Sequence, residues 1–275
     1  MRELPEIETY RRDLEREVVG KKIKLAHAES MALLPRYSNR KSFFGQLPGV
    51  KITSVARRSK NLVFGLDSEQ FLIVILGDTG RLRRNANKDP LDDGTEIVLT
   101  FTQHGQLRII DREGNADVFL IDDDELDEQV PYDLGLDAID ETISWTQFGE
   151  LLMSSDMKLK DFLSDSNVIV GLGDLYGDET LFAAGLRYDR MSSTLSTQEI
   201  RRLYRGLVET MHDAVKYRGT TLEDDDYTDL SGEAGVFGDH VQVYGKEGAL
   251  SPRSRAPIVR AKFGKRWVYF CETQM

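Results

Sequence analysis

Residues 167–185 read NVIVGLGDLYGDETLFAAG and carry the strongest indication of the fold. An apolar glycine turn, Gly171-Leu-Gly173, precedes a helix that is expected to begin near Asp174 and to end at Gly185. Glycine allows a backbone to approach an anion closely, and the N–H groups at a helix N-terminus favour negative charge. Taken alone, such a turn is also typical of two helices that pack tightly.

Helical patterns flank this stretch on both sides. Ser144 and Gln147 have capping-box spacing, as do Ser196 and Glu199. The second box precedes apolar residues at helical spacing from Ile200 to Val215. The sequence therefore predicts a helical domain over residues 142–240.

The first 121 residues show a different pattern. Residues 6–19 predict an amphipathic helix, and short apolar runs separated by Gly, Asp and Asn predict strands after it. Such spacing is typical of a β-sandwich or barrel-like domain. The runs are residues 62–64, 71–76, 97–101 and 107–110.

Two acidic runs and one β-prone tail complete the organisation. Residues 122–128 read DDDELDE and predict a solvated linker that extends to about residue 141. Residues 223–226 predict a second acidic loop. The runs at 258–260 and 267–270 predict a hairpin within a terminal segment, residues 241–275.

Composition favours a soluble cytosolic protein. The 275 residues are 40% apolar, which suffices for one large or two medium cores. The sequence contains no apolar run of about 18 residues, so no membrane partner is expected. The first residues lack a signal-peptide core, and the single Cys271 excludes an intramolecular disulfide.

Charge is distributed unevenly along the chain. The net charge of −11 disfavours a generic polyanion binder, because phosphate contacts need Lys and Arg. Residues 241–275 nevertheless carry seven Lys and Arg against two Glu, a net of +5, which leaves −16 for residues 1–240. The basic tail is equally consistent with a local nucleic-acid footprint and with a hairpin held against an acidic neighbour.

Six segments, taken in order, resemble the formamidopyrimidine-DNA glycosylase / endonuclease VIII family. They are residues 3–9 (ELPEIET), 57–62 (RRSKNL), 77–82 (GDTGRL), 160–185, 219–222 (GTTL) and 243–248 (VYGKEG). The resemblance implies an α+β fold. Its parts would be an N-terminal two-sheet β-sandwich with a leading helix, a helix–two-turn–helix domain and a C-terminal β-hairpin finger.

The resemblance also implies a catalytic residue that this chain lacks. In the family an N-terminal proline amine attacks the sugar C1′, and a neighbouring glutamate serves as general acid and base. Here position 2 is Arg2, beside which Met1 is expected to be retained. Glu3 matches the family's glutamate, although a helix N-terminal acid is the ordinary alternative for it.

The DNA-contacting positions are altered too. Asp78 replaces the methionine that fills the void left by an everted base, and residues 112–115 (REGN) lack the expected wedge phenylalanine. Asp174 replaces a phosphate-binding asparagine, beside Gly171 and Gly173 of the turn. Three cations match basic family positions, and an ordinary surface charge is the less favoured alternative for each: Lys60, Lys160 and Arg266.

The finger has lost the family's zinc ligands. Where the family has two Cys-x2-Cys pairs, this chain has Ser251, Ser254, Cys271 and Gln274. Hydroxyl and amide groups are poor zinc ligands, so we predict neither a metal nor another cofactor. Packing of Trp267, Tyr269 and Phe270 is expected to hold the hairpin instead.

Three hypotheses follow. The first is a non-catalytic family member that binds nucleic acid weakly and in a salt-sensitive manner through Lys60, Lys160 and Arg266. The second is a protein-interaction module on the same fold, favoured by the acidic body and Asp174. The third is a monofunctional glycosylase in which Glu3 activates water, without β-lyase activity.

Overall fold

A computed structural model describes residues 2–131, 135–139, 144–223 and 227–275. The chain divides into two compact units. The first comprises Met1–Asp133 and Arg218–Gly235, and the second comprises Leu134–Tyr217 and Val236–Met275. In the described part of the chain, no helix has both the length and the apolar character of a membrane span.

The first unit is built from a leading helix and antiparallel strands. Its elements are α1 (Leu4–Val18), β1 (Ile23–Ala28), α2 (Arg40–Phe44), β2 (Ile52–Arg58), β3 (Asn61–Leu66), β4 (Gln70–Ile75), β5 (Arg81–Asn85), β6 (Thr95–Phe101), β7 (Gln106–Ile110), β8 (Asp117–Asp122) and α3 (Leu126–Gln129).

The strands form two four-stranded sheets, ordered β1-β6-β7-β5 and β2-β3-β4-β8. Ile7, Tyr10 and Leu14 of α1 share one core with apolar residues from both sheets, including Phe64 and Leu99. Pro5 in the first turn and a capping box at Glu3 and Glu6 begin α1 two residues earlier than predicted. The predicted two-sheet domain with a leading helix is confirmed.

The described part of the acidic run is folded rather than a loose linker. Residues 123–125 form a 3-10 turn and residues 126–129 form α3. Leu126 and Val130 are buried in a cluster with Val63 and Ile73. The acidic side chains remain exposed, while Leu126 and Val130, four residues apart, lie on one side of the segment and anchor it. The predicted linker residues 132–134 and 140–141 lie outside the described residues.

A segment of the predicted helical domain belongs to the first unit. Arg218–Gly235 groups with the sheets, where Tyr227 is fully buried and its ring lies 5.6 Å from that of Tyr10. Tyr10 also donates a hydrogen bond to the carbonyl of Thr228 at 2.5 Å. These partners lie more than 200 positions away, so local pattern could not reveal them. Residues 224–226 of the predicted acidic loop lie outside the described residues.

The second unit contains the helices and the hairpin. Its elements are α4 (Trp145–Ser155), α5 (Leu159–Ser164), α6 (Asp174–Ala184), α7 (Thr197–Lys216), β9 (Ile258–Phe263) and β10 (Arg266–Cys271). Capping boxes at Ser144 and Ser196 begin α4 and α7, as predicted. Gly185 ends α6 in the left-handed region, with φ of 69°.

Close packing positions α6 against its neighbours. A Cβ at Gly206 of α7 would lie 3.1 Å from the carbonyl oxygen of Thr180, so glycine permits the two helices to approach. Phe182 of α6 shares a buried cluster with Ile258 and Cys271 of the hairpin. The helix that follows the glycine turn is therefore fixed on two sides.

Candidate nucleic-acid interface

Arg2 is buried and anchors the start of the chain. Its side chain donates hydrogen bonds from Nε to the carbonyl of Gly80 at 3.0 Å and from Nη2 to that of Thr79 at 3.3 Å. The guanidinium carbon lies 5.4 Å from the ring centroid of Tyr227, and the residue is 1% exposed. The position that the resemblance assigns to a catalytic proline thus holds a packed cation. Met1 lies outside the described residues.

Lys60 lies beside this buried arginine. It follows Ser59, which takes a positive φ of 55° in the turn between β2 and β3. Its Nζ donates a hydrogen bond to the carbonyl of Arg2 at 3.4 Å. The structure therefore places Lys60 beside the position that the resemblance assigns to the catalytic proline.

Glu3 acts as the cap of α1. Its carboxylate accepts the backbone N–H of Glu6, and Glu6 Oε2 accepts the N–H of Glu3 at 3.0 Å. Glu6 Oε1 also accepts the N–H of Thr220 at 2.9 Å. Two carboxylates thus stabilise the helix N-terminus, where negative charge is favoured.

The positions at which the family inserts side chains into the DNA, Asp78 and residues 112–115, are polar here. Asp78 is exposed in the turn after β4, and the neighbouring Thr79 hydroxyl donates to Asp111 Oδ1 at 2.7 Å. Arg112 is exposed and pairs with Asp93 at 2.9 Å. An exposed carboxylate lacks the apolar surface that fills a void in a base stack.

The glycine turn and the start of α6 form as predicted. Gly171 has φ of 59°, a conformation that favours glycine, and Gly173 is the N-cap of α6. Asp174 is the first residue of the helix and retains about a third of its side-chain exposure, 32%. The turn therefore presents a carboxylate at a helix N-terminus.

Lys160 is not the surface cation that a phosphate contact would require. Its side chain is fully buried, and Nζ lies 2.7 Å from Asp178 Oδ1 and 3.2 Å from Asp174 Oδ1. It also donates to the backbone carbonyl of Asp174 at 3.0 Å. Two carboxylates and a carbonyl surround Lys160 in this structure, and the prediction that it contacts DNA stays a prediction.

Arg266 is partly exposed but also engaged by carboxylates. Its Nη2 lies 2.9 Å from Asp161 Oδ1, and its Nη1 lies 3.9 Å from Asp174 Oδ1. The turn cluster, defined as Lys160, Arg266, Asp161, Asp174 and Asp178, holds two cations and three carboxylates. With every group ionised its formal charge is −1, which opposes the approach of a phosphate.

Sequence reasoning missed Asp178 and Asp161. Asp178 is one helical turn beyond Asp174, and burial raises its pKa to about 6 although Lys160 opposes the shift. Its Oδ2 also accepts the backbone N–H of Tyr269 at 2.8 Å. The adjacent acids Asp178 and Glu179, in an otherwise uncharged stretch over residues 175–184, were the signal that could have identified buried polar contacts here.

The four positions aligned with zinc ligands do come together. Ser254 Oγ lies 3.0 Å from Cys271 Sγ, and Gln274 Oε1 accepts the N–H of Cys271 at 2.7 Å. Gln274 Nε2 donates to the carbonyl of Leu186 at 2.7 Å, and Ser251 is fully buried. One thiol with two hydroxyls and an amide already bonded at both ends does not fit a tetrahedral zinc site.

Two antiparallel sheets with a leading helix, a glycine turn before a helix and a C-terminal hairpin define the architecture of the helix–two-turn–helix DNA glycosylases. Residues 1–116 match the model of the formamidopyrimidine-DNA glycosylase N-terminal domain, and residues 134–226 match that of its H2TH domain. The chain belongs to the formamidopyrimidine-DNA glycosylase family.

Relatives resemble the chain over its full length. It is 33% identical to a formamidopyrimidine-DNA glycosylase of Pelotomaculum thermopropionicum over 99% of this chain and 98% of the relative. The enzyme of Oceanobacillus iheyensis is 32% identical, with 99% and 97% covered. A Lactococcus lactis Fpg in complex with abasic-site DNA has a TM-score of 0.88 at 28% identity, with 100% of both chains covered. A mutant of the same enzyme with Fapy-dG-containing DNA has a TM-score of 0.87 at 29% identity, with 98% of each covered.

Proposed function

We propose that this protein binds DNA as a member of the glycosylase family, but that it does not attack the sugar C1′ with an N-terminal amine. Family membership and the resemblance to Lactococcus lactis Fpg in complexes with damaged DNA support the binding. The main support for the loss of the nucleophilic amine is the buried Arg2 side chain, which donates hydrogen bonds to the carbonyls of Thr79 and Gly80.

The nucleophile is the first reason. A guanidinium stays protonated at physiological pH and does not attack a sugar carbon. Even a retained N-terminal amine would be displaced by one residue, and a misplacement of about 1 Å costs roughly a hundredfold in rate. Burial of Arg2 holds the chain start in this arrangement.

Lys60 is the rival amine in this region. Its Nζ donates to the carbonyl of Arg2, so it is held as a hydrogen-bond donor. To act as a nucleophile it would have to leave that carbonyl and lose a proton. We assign it instead to a DNA phosphate, in keeping with its charge and partial exposure.

Glu3 offers weak support for the alternative monofunctional glycosylase. A general base must reach a water molecule at the sugar, at about 3 Å. The Glu3 carboxylate is bonded to the N–H of Glu6, and leaving that bond would uncap α1 at a cost of about 1 kcal/mol. We therefore favour a structural role for Glu3.

Binding through the second unit is expected to be weak. Gly171 and Gly173 allow the backbone to approach a phosphate closely, and Arg266 provides a partly exposed cation. The Asp174 carboxylate lies 3.9 Å from the Arg266 guanidinium and is negatively charged, so it repels a phosphate that approaches Arg266. DNA binding is consequently expected to lack a tight phosphate contact at this turn, and the contacts that the remaining cations make should weaken as salt rises.

Fluorescence anisotropy with a labelled duplex that contains a tetrahydrofuran abasic analogue tests the proposal. We expect binding that weakens steeply as salt rises. In parallel, a natural abasic duplex should remain uncleaved at high protein excess. Absence of binding at low salt would instead favour the protein-interaction module, and strand cleavage would refute the loss of chemistry.

A further inference from the structure

The hairpin has a basic and aromatic outer face. In the antiparallel pair, Lys262 is opposite Trp267 and Arg260 is opposite Tyr269, so these four side chains share one face. The alternate residues Val268 and Phe270 are buried on the other face. Tyr269 packs against the buried cluster that contains Ile258 and Cys271, so we call residues 260, 262 and 267 the outer face.

Trp267 departs from the expectation that it packs to hold the hairpin. It is 46% exposed, whereas Phe270 is 6% exposed. The guanidinium carbon of Arg260 lies 4.1 Å from the centroid of its ring. The exposed indole provides a flat aromatic surface on which a planar group can stack.

The charges around the ring define what could cover it. Lys262 is exposed on the face, and Lys265 is exposed in the turn between the strands. Arg260 Nε lies 3.4 Å from Glu247 Oε2, a pair that is partly exposed on both sides. The three cations exceed this one carboxylate, so the surroundings of the indole are net positive. Charge complementarity therefore selects an anionic partner that also offers a flat ring.

We propose that the outer face is a second nucleic-acid-binding surface, which binds single-stranded DNA by stacking an unpaired base on Trp267. Every base has a flat π face, so stacking of this kind is tolerant of sequence. Lys262 and Arg260 would contact the adjacent phosphates. Bases within an intact duplex keep their faces stacked on one another and are not available to the indole.

The chain contains two tryptophans, and the second provides a matched control. Trp145 carries Arg201 at the same 4.1 Å from its ring centroid, but it lies on α4 in the helical part of the unit. Loss of Trp145 removes an equivalent aromatic–cation pair without altering the outer face. A Trp145→Phe background also leaves Trp267 as the single indole reporter.

The experiment is a fluorescence titration of the Trp145→Phe protein with a 15-nucleotide oligothymidylate. We expect saturable quenching of Trp267 emission, which salt reverses. In separate anisotropy titrations of otherwise unchanged protein, Trp267→Ala should weaken oligothymidylate binding roughly 5- to 100-fold. Trp145→Ala should leave it within about twofold of the unaltered protein, in line with the absence of a stacking role.

A second variant guards against misfolding. Lys262→Ala keeps the indole and should lower the slope of log affinity against log salt by about 0.7, the value for one single-strand phosphate. Affinity for oligothymidylate that Trp267→Ala leaves unchanged, or quenching that is absent at low salt, would overturn the proposal. Duplex binding, measured on the same proteins, reports separately on the proposed function, since Trp267→Ala should leave it largely unchanged.

Discussion

Replacing Asp174 by Asn should strengthen binding of duplex DNA. The substitution removes one negative charge from the turn cluster and changes its formal charge from −1 to neutral. The new amide can still accept from Lys160 through its oxygen and can donate to a phosphate through its nitrogen. Lys160 keeps its 2.7 Å contact with Asp178, so the buried cation is not left unpaired.

The expected gain follows from Coulomb's law. A phosphate held at about 5 Å from the Asp174 carboxylate is repelled by about 1 kcal/mol in water and by about 3 kcal/mol at an effective dielectric constant near 20. Asp174 is 32% exposed, which places it between these limits. We therefore expect an affinity gain of about 5- to 50-fold at low salt, with tenfold corresponding to about 1.4 kcal/mol.

Anisotropy against a duplex with an abasic analogue measures this gain. The matched control is Asp213→Asn, which changes the net charge equally on the exposed side of α7. One additional phosphate contact should also steepen the slope of log affinity against log salt by about 0.9. An equal gain in both variants, or no gain in Asp174→Asn, would refute the reasoning that this carboxylate opposes a phosphate.

Three further predictions concern the finger and the chain start. Elemental analysis of the purified protein should find far less than one zinc per chain, and a stoichiometric zinc would contradict our interpretation of the donor set. Burial alone would raise the pKa of the Cys271 thiol, but the hydroxyls of Ser254 and Thr273 lower it to about 7. Ultraviolet titration of the thiolate should show that midpoint, which Ser254→Ala should raise. Because the folded pKa lies below the unfolded value, the thiolate stabilises the fold most at alkaline pH and this contribution is lost as pH falls through about 7. Arg2→Ala should destabilise the protein by about 2–4 kcal/mol in chemical denaturation, because it leaves buried carbonyls without a donor and opens a cavity. A change below about 0.5 kcal/mol would show that Arg2 contributes little to stability.

Local signals in the sequence predicted the elements well. Periodic apolar residues located β3, β4, β6 and β7, and serine capping boxes located α4 and α7. These features depend on residues within a few positions of one another, so a single sequence contains them. Family motifs supplied the arrangement of elements that periodicity could not.

Side-chain burial was harder to predict, since it depends on partners distant in sequence. Lys160 has the composition of a surface cation, yet Asp178 on another helix neutralises it inside the unit. Arg2 is similarly buried by carbonyls 77 and 78 positions away. Leu126 and Val130 anchor a run whose charge alone suggested a linker. In each case a long-range contact outweighed the local pattern.

Borohydride trapping on an abasic duplex tests whether the protein lacks amine chemistry, because an imine between an amine of the protein and the sugar is reduced to a stable adduct. We expect no adduct that survives denaturation, even at high protein excess, under conditions in which anisotropy shows the duplex to be bound. Lys60→Ala tests whether Lys60 is the source of any adduct that forms, and Arg2→Pro tests whether restoring the proline restores trapping. An adduct with the unaltered protein that disappears in Lys60→Ala would show that Lys60 attacks the sugar and that the protein is an enzyme with a relocated nucleophile.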